Sequence, residues 1–455
     1  MALRASFKFI AAATLVGASL SVPAQARAQA NSGTQDTISY TIEAGDTLYA
    51  LAGKYFTSNA AITQVQKLNR IRNTRAIPVG SVLKVPRKLL KSDPVLLNVR
   101  FSRGDVTIRQ GGTVRNAEQG MQVRPGAIIT TGARAFMSLS GGGGQTRVAL
   151  PSNSRVQIKR ALRYRLGDRL DVDLRVLRGR GEITAPKLRE GERFNTGTPL
   201  AVTAVRGTEF RVGYEEEGSL ALTEVVEGLV EVSAGDVASN IPAGLGVASD
   251  ASGLGDPEKL LEAPELVEPN ETQTGELVTF AIEPVEGAVA YRTQIASDQT
   301  FLAVIAEEVT TQPVVTFEGI EDARLSVRSR AVAASGLEGL ETPVQAFRRK
   351  RVGAAGGLAP LPFADAFKFV WQPEGEGQSY AGFRMWEKGN PDVLLIDEAG
   401  LTNEGFYVSN LAPGDYQWQV STFLIIPPEG ESEGEGAKSE VIKIWSDPVD
   451  LKVTD

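Results

Sequence analysis

Residues 38–48 read ISYTIEAGDTL, and this stretch decides the fold of the N-terminal region. Its first five residues alternate between apolar and polar side chains, which is typical of a short strand. Gly45 suits a tight turn, and either Asp46 or Thr47 can cap a helix. The helix that follows carries one apolar stripe at spacings of three and four, made of Leu48, Leu51, Ala52 and Tyr55. The stretch therefore predicts a strand followed by an amphipathic helix.

The next forty residues complete a compact unit. Asn59 can cap a second helix, whose inner face would consist of Ile62, Val65 and Leu68. Residues 77–80 then turn the chain into a final strand at 81–86. Residues 38–87 are thus predicted to form a strand-helix-helix-strand (βααβ) module.

This module resembles a LysM domain. The resemblance rests on Tyr40-Thr41-Ile42, on Gly45-Asp46-Thr47-Leu48, on Asn69, on Pro78-Val79-Gly80 and on Leu83-Lys84-Val85-Pro86. It implies binding of N-acetylglucosamine polymers, such as peptidoglycan glycan strands, between the loop that enters the first helix and the loop that leaves the second. The expected glycan-binding residues are Gly45, Asp46, Thr47, Leu48, Asn69, Arg70, Ile71, Ile77, Pro78 and Val79.

Within that groove, apolar Leu48, Ile71 and Ile77 are expected to give the sugar rings a surface to lie on. Arg70, Arg72 and Arg75 look inserted in the second loop. They either pair with carboxylates of peptide stems or are only solvated, and a LysM fold that has lost its ligand is a further alternative.

Two absences in the composition exclude whole classes of enzyme. The chain of 455 residues contains no cysteine and no histidine. Thiol nucleophiles, disulfides, imidazole bases, Ser-His-Asp triads and histidine-bound zinc are therefore impossible. No cofactor, metal site or catalytic residue is predicted.

Residues 1–30 have the form of a secretory signal peptide. Arg4 and Lys8 supply positive charge, an apolar run of about a dozen residues follows, and cleavage could occur after Ala26 or Ala30. Nothing later is long and apolar enough to span a bilayer, so no transmembrane segment is expected after cleavage. The expected location is the periplasm or cell envelope.

Residues 95–250 are predicted to be all-β, because short alternating segments are separated by glycines. The strings Val205-Arg206-Gly207-Thr208-Glu209-Phe210 and Glu227-Gly228-Leu229-Val230-Glu231-Val232 resemble the periplasmic FecR-type domain. Founding FecR proteins are signal relays with a cytoplasmic segment. Because residues 1–30 are predicted to be a cleavable signal peptide, no such segment and no direct transcriptional control are expected here. The glycine loop 141–144 has no Gly-Lys-Ser/Thr after it, so it is interpreted as a hairpin connection and not as a phosphate cradle.

Charge is distributed unevenly along the chain. Residues 92–213 carry 21 Lys/Arg and 10 Asp/Glu, whereas residues 214–455 carry 15 and 42. The basic run between 155 and 180 is interpreted as a solvated strand face and not as a nucleic-acid site, since the protein is expected to be exported.

The C-terminal region is predicted to contain two β-sandwich modules, at 275–347 and 361–455, with linkers at 251–274 and 351–360. Both modules resemble fibronectin type III domains, and their strand blocks suggest an internal duplication. Trp371, Trp386 and Trp418 are expected in the core.

The predicted fold class is mainly β and multidomain: a βααβ LysM-like module, an all-β FecR-like domain and two sandwiches. The predicted function is a non-catalytic envelope protein that binds peptidoglycan and presents its β-domains as a scaffold or adaptor for an unidentified protein partner. One alternative is a periplasmic sensor that signals to a membrane regulator. Another is a glycosidase that uses carboxylates.

Overall fold

The computed structural model describes residues 36–205, 207–359, 366–374, 379–402, 405–426 and 440–454. The predicted signal peptide lies outside these ranges. The described chain is almost entirely β, with two α-helices near the N-terminus and short 3-10 turns at Arg87–Leu89 and Gly142–Gly144. The mainly β fold class is thereby confirmed.

The N-terminal module has the predicted βααβ order. Its elements are β1 (Thr37–Thr41), α1 (Leu48–Tyr55), α2 (Ala60–Asn69) and β2 (Val82–Pro86), with β1 and β2 antiparallel. Thr47 caps α1, because its hydroxyl accepts a hydrogen bond of 3.1 Å from the Ala50 N–H. Asn59 occupies the N-cap position of α2, as predicted, but its backbone is already helical and its side chain makes no capping hydrogen bond.

A closed β-domain follows, formed by nineteen strands whose sheet closes on itself around one apolar core. Closure hides the unpaired backbone groups that an open sheet would leave at its edges. The strands are β3 (Ser92–Pro94), β4 (Leu97–Arg103), β5 (Val106–Gln110), β6 (Thr113–Asn116), β7 (Gln122–Val123), β8 (Ile128–Thr131), β9 (Phe136–Gly141), β10 (Thr146–Leu150), β11 (Arg155–Tyr164), β12 (Arg169–Thr184), β13 (Arg193–Gly197), β14 (Val202–Val205), β15 (Glu209–Glu215), β16 (Leu220–Glu227), β17 (Leu229–Ala234), β18 (Val237–Pro242), β19 (Leu245–Asp250), β20 (Gly253–Leu254) and β21 (Glu258–Lys259).

The N-terminal module packs directly on the closed β-domain. Tyr164, the last residue of β11, and Leu166, in the turn that follows, belong to the same apolar core as the two helices. Arg87 is 4% exposed and joins the two units, since its guanidinium contacts Asp36 at 2.9 Å and Asp171 at 3.5 Å. The two units therefore share both an apolar core and buried charge.

The first sandwich comprises β22 to β29 in two sheets, with order β22-β23-β26 in one and β25-β24-β27-β28 in the other, where β29 also pairs with β27. Its strands are β22 (Leu266–Val267), β23 (Val278–Ile282), β24 (Ala288–Ala296), β25 (Val304–Thr310), β26 (Val314–Phe317), β27 (Ala323–Ala333), β28 (Glu338–Glu341) and β29 (Gln345–Arg349).

The second sandwich repeats this order strand for strand, as β30-β31-β34 and β33-β32-β35-β36 with β37 paired to β35. The repeat agrees with the duplication inferred from the sequence. Its strands are β30 (Gly353–Ala359), β31 (Ala366–Glu374), β32 (Ser379–Glu387), β33 (Leu394–Leu401), β34 (Gly405–Ser409), β35 (Gly414–Ile426), β36 (Glu440–Trp445) and β37 (Val449–Val453).

Both segments predicted as linkers are instead built into the sheets. Residues 251–274 contain β20 and β21, which pair with β19, and β22, which pairs with β23. Residues 351–360 contain β30, an outer strand of the second sandwich. Small residues are needed there, because a Cβ on Gly356 would lie 2.8 Å from the Trp418 ring. As predicted, Trp371, Trp386 and Trp418 are buried.

A buried ion network joins the closed β-domain to the first sandwich. Glu338 of the sandwich contacts Arg180 of the closed β-domain at 3.1 Å and its own Arg330 at 2.8 Å. Glu182 of the closed β-domain receives Arg328 at 2.6 Å and also contacts Arg330. Because these side chains are largely excluded from water, each charge depends on its partners.

Candidate functional site

Two loops of the N-terminal module lie side by side, one entering α1 and the other leaving α2. The Leu48 N–H donates a hydrogen bond of 3.0 Å to the Thr74 carbonyl, which ties the loops together. At the other end, the Gly80 N–H donates to the Ile42 carbonyl at 2.8 Å. These two contacts hold residues 42–48 beside residues 74–80, whereas the predicted groove residues Asn69, Arg70 and Ile71 lie outside this interval.

The first loop is shaped by an internal carboxylate. Asp46 Oδ2 accepts hydrogen bonds from the Tyr40 hydroxyl at 3.0 Å and from the Glu43 N–H at 2.9 Å. Burial, helped by the bond to Asp46, raises the pKa of Tyr40 to about 12. Gly45 has a φ of 94°, a conformation that favours glycine. Asp46 and Gly45 thus determine the path of the loop, and Thr47 ends it as the helix cap.

The apolar residues of the groove divide into buried and accessible ones. Leu48 is 0% exposed, so its side chain offers no surface to a ligand, contrary to the prediction. The reason is the apolar stripe of α1, which directs Leu48 into the core. Ile71 and Ile77 pack half-buried at the edge of that core, and Val79 is 66% exposed.

Asn69 has a structural role in the second loop. Its side-chain amide donates to the carbonyls of Val65 at 2.8 Å and Lys84 at 2.7 Å, and its oxygen accepts from the Lys84 N–H. These bonds hold the end of α2 against β2. Arg70 ends the helix with left-handed backbone, φ 54°, and its side chain remains exposed, as do those of Arg72 and Pro78.

Tyr49 was not among the groove residues predicted from the sequence. It directly follows the Leu48 N–H that bonds to the second loop, and it is 59% exposed although it is a large aromatic residue. An exposed tyrosine offers a ligand both an apolar ring and a polar hydroxyl group. The available clue was its position: Tyr49 stands next to the apolar stripe of α1 without belonging to it.

A cleft of about 470 Å³ lies between the closed β-domain and the first sandwich and contains Glu307. Burial raises the pKa of Glu307 despite the nearby Arg292. Its two carboxylate oxygens are engaged, one by Arg292 at 2.8 Å and the other by Gln294 at 2.7 Å. A carboxyl group fixed on both oxygens is suited to a structural role and poorly placed to transfer a proton.

Within the described ranges, no helix is long and apolar enough to cross a membrane. The same residues contain no group of three or more acidic side chains arranged to hold a metal ion.

Comparison with known proteins identifies two families. The LysM domain family matches residues 40–86, and the FecR protein family matches residues 127–231. Both resemblances inferred from the sequence are thereby confirmed. These are families of binding and signalling domains and not of enzymes. No curated protein matches the chain.

Similar solved structures include a putative anti-sigma factor from Parabacteroides distasonis, which is 19% identical, with 29% of this chain and 59% of that chain covered and a TM-score of 0.25. This chain therefore spans 59% of that protein's length. Chicken CNTN1 FN1-FN3 domains are 13% identical, with coverages of 56% and 95% and a TM-score of 0.20. Fibronectin(III)-like modules of Clostridium thermocellum CbhA are 12% identical, with coverages of 40% and 93% and a TM-score of 0.19. TM-scores this low support no conclusion about the chain.

Proposed function

We propose that this chain is an exported, non-catalytic protein of the cell envelope that binds peptidoglycan glycan strands through the groove of its LysM module. The closed β-domain and the two sandwiches then act as a scaffold for contacts with other envelope proteins. The proposal accords with the signal peptide predicted for residues 1–30 and with the absence of cysteine and histidine.

One observation carries the proposal: the hydrogen bond that joins Leu48 to Thr74. It brings the loop around Gly45 and Asp46 against the loop that contains Ile77. Such a groove offers backbone N–H and C=O groups for acetamido groups and apolar side chains for sugar rings. In this arrangement Tyr49 and Val79 provide the exposed contact surface, and Asp46, Thr47 and Asn69 support the loops.

The test is isothermal titration of the full chain with chitohexaose and with muropeptides. Tyr49→Ala should weaken binding of both by about tenfold, as expected for loss of an aromatic anchor. The matched control is Tyr407→Ala in the second sandwich, because Tyr407 is 61% exposed and remote from the groove in sequence. Absence of binding by the unmodified chain, or equal loss in both variants, would contradict the proposal.

A second candidate function, an envelope sensor, is favoured by the tight packing between units. Tyr164 and Leu166 join the closed β-domain to the LysM core, and the ion network joins that domain to the first sandwich. Hydrogen exchange with and without chitohexaose separates the two functions. A scaffold predicts protection confined to the groove loops, whereas a sensor predicts altered exchange at Glu338–Glu341 as well.

A further inference from the structure

A second pocket, of about 410 Å³, lies where the closed β-domain meets the first sandwich. The closed β-domain contributes strands β4, β9 and β10 and the glycine loop, and the sandwich contributes Thr300 and Leu302. Its polar wall consists of Asn98, Arg100, Ser140 and Arg147, and Gly143 and Gly144 lie at its rim. This cavity is named the glycine-loop pocket.

The strand pairing gathers polar side chains on one wall. Asn98, Ser140 and Arg147 stand opposite one another on three adjacent strands, so they share a face of the sheet. Arg100 is the extra residue of a β-bulge, because the register passes from Val99 directly to Phe101. Bulges commonly redirect a side chain toward a site.

The glycine loop forms the rim. Gly143 and Gly144 have φ values of 70° and 91°, and an added Cβ on either would meet nothing within 4 Å. Turns that pass from right-handed to left-handed backbone can collect N–H groups into a concavity that binds anions. The pocket thus gives the four-glycine stretch a position beside two guanidinium groups.

The opposite wall is fixed by Phe301, which is 3% exposed and packs with Phe136 and Phe101 of the closed β-domain. This anchor holds Thr300 and Leu302 at the pocket. The nearby Asp298 carboxylate is occupied within its own loop, since it accepts from the Thr300 hydroxyl and from the Ala303 N–H at 2.8 Å. Its charge is therefore already partly compensated.

The electrostatics of the pocket are one-sided. Within the described part of the chain, its lining contains two arginines and no carboxylate, and it lies mainly in the region with 21 Lys/Arg and 10 Asp/Glu. Among the described residues, no hydrogen bond or ion pair engages the side chains of Asn98, Arg100, Ser140 or Arg147. Four unengaged donor groups around one cavity are a suitable environment for an oxyanion.

We propose that the glycine-loop pocket binds a small ligand that bears an oxyanion, a carboxylate or a phosphate, held by Arg100 and Arg147. The volume suits a molecule the size of a dipeptide or a phosphorylated sugar. Asn98 and Ser140 add neutral hydrogen bonds, and Leu302 contacts an apolar part. This site is separate from the glycan groove and does not depend on it.

Isothermal titration of the full chain uses three probes: inorganic phosphate, N-acetyl-D-alanyl-D-alanine and the amide of that dipeptide. Phosphate and the free dipeptide separate the two sources of oxyanion, and the amide removes the charge. Saturable binding of phosphate or of the free dipeptide is expected, with affinity for the amide at least about tenfold weaker.

Arg147→Gln and Arg100→Gln should each lower the affinity by about tenfold or more, and the double variant should abolish binding. Arg109→Gln is the matched control, because it removes one exposed positive charge from the same domain outside the pocket. In NMR spectra, the amides of Gly143 and Gly144 should shift on titration. The proposal is overturned if neither oxyanion binds, if the amide binds equally well, or if Arg109→Gln weakens binding as much as Arg147→Gln.

Discussion

The two C-terminal sandwiches have the same strand order but use the same sheet face differently. In the first, Arg292, Arg328 and Arg330 on β24 and β27 enter the ion network with the closed β-domain. In the second, the same face of the sheet carries Arg384 on β32 and Lys443 on β36. Their charged groups lie 4.2 and 4.7 Å from the centre of the Trp445 ring.

This difference shows that strand order determines the sandwich but not its attachment. The first sandwich is held to the closed β-domain by charges taken out of water, flanked by a small apolar cluster of Leu222, Leu260 and Leu337. The second follows a short connection, where the Val352 N–H donates to the Thr274 carbonyl. The two sandwiches thus differ in the side chains that this sheet face presents, which in the first are arginines paired with carboxylates of the closed β-domain.

The four tryptophans of the chain, Trp371, Trp386, Trp418 and Trp445, are all in the second sandwich. Tryptophan fluorescence therefore reports unfolding of that module alone, whereas far-ultraviolet circular dichroism reports all the β-domains. The two signals together can separate the modules in one sample.

The largest effect is expected for Glu338→Ala. The variant leaves Arg180, Arg292 and Arg330 without their shared carboxylate, which should lower the free energy of unfolding of the closed β-domain and first sandwich by about 3–5 kcal/mol. In urea, the dichroism transition should move to lower concentration while the fluorescence transition stays in place. The exposed Glu387→Ala is the control, and an unchanged dichroism transition in Glu338→Ala would refute the importance of the network.

Met385→Ala should give the reverse result. Met385 is 0% exposed in the core of the second sandwich, so its truncation should cost that module about 2–5 kcal/mol. The fluorescence transition should then move and the transition of the other modules should not. A joint shift of both transitions would show that the second sandwich unfolds together with the rest of the chain.

The stability of the two sandwiches should also differ in its dependence on pH. Burial opposes ionisation of Glu182, but Arg328 and Arg330 outweigh it and hold its pKa at about 2, below the usual 4.5. A carboxyl group with a lowered pKa contributes stability above pH 4.5 and loses it as the pH falls toward 2. The urea midpoint of the dichroism transition should therefore fall as the pH is lowered over that range. In Glu182→Gln, the midpoint should depend less on pH. Identical pH dependence in the variant and the unmodified chain would contradict this.

Trp445→Ala should have the smallest effect. It removes two cation–π contacts at the surface, each worth about 0.5–1 kcal/mol, so the second sandwich should lose about 1–2 kcal/mol. Fluorescence of the remaining tryptophans measures this change. A loss as large as that of Met385→Ala would mean that Trp445 belongs to the core.

The sequence predicted the features that depend on local pattern. Leu51 and Ala52 follow Leu48 at spacings of three and four, which predicts helix α1. The alternation around Phe280 and Trp418 predicts strands with one buried face. The same stripe already contained Leu48, so its burial could have been foreseen. The duplicated strand order was also visible in the aligned blocks.

The ion network could not be predicted, because its members come from distant parts of the chain. Glu182 and Arg330 are 148 residues apart, and no periodicity relates them. Arg328 and Arg330 alternate with buried residues, which in an isolated sandwich indicates a solvated face. Only the position of the closed β-domain turns that face into an interior. For the same reason, the sequence could not place Arg100 and Arg147 around one pocket.

Tyr164 and Leu166 pack into the core of the LysM module, which gives that module one orientation on the closed β-domain. If its groove follows a glycan strand, the closed β-domain and first sandwich must keep one fixed orientation relative to the strand. Many copies bound to parallel strands would then share one orientation, and each would present the same side to the neighbouring layer of the envelope. If a flexible linker joined the glycan-binding module to the other domains, those domains would instead take all orientations relative to the strand.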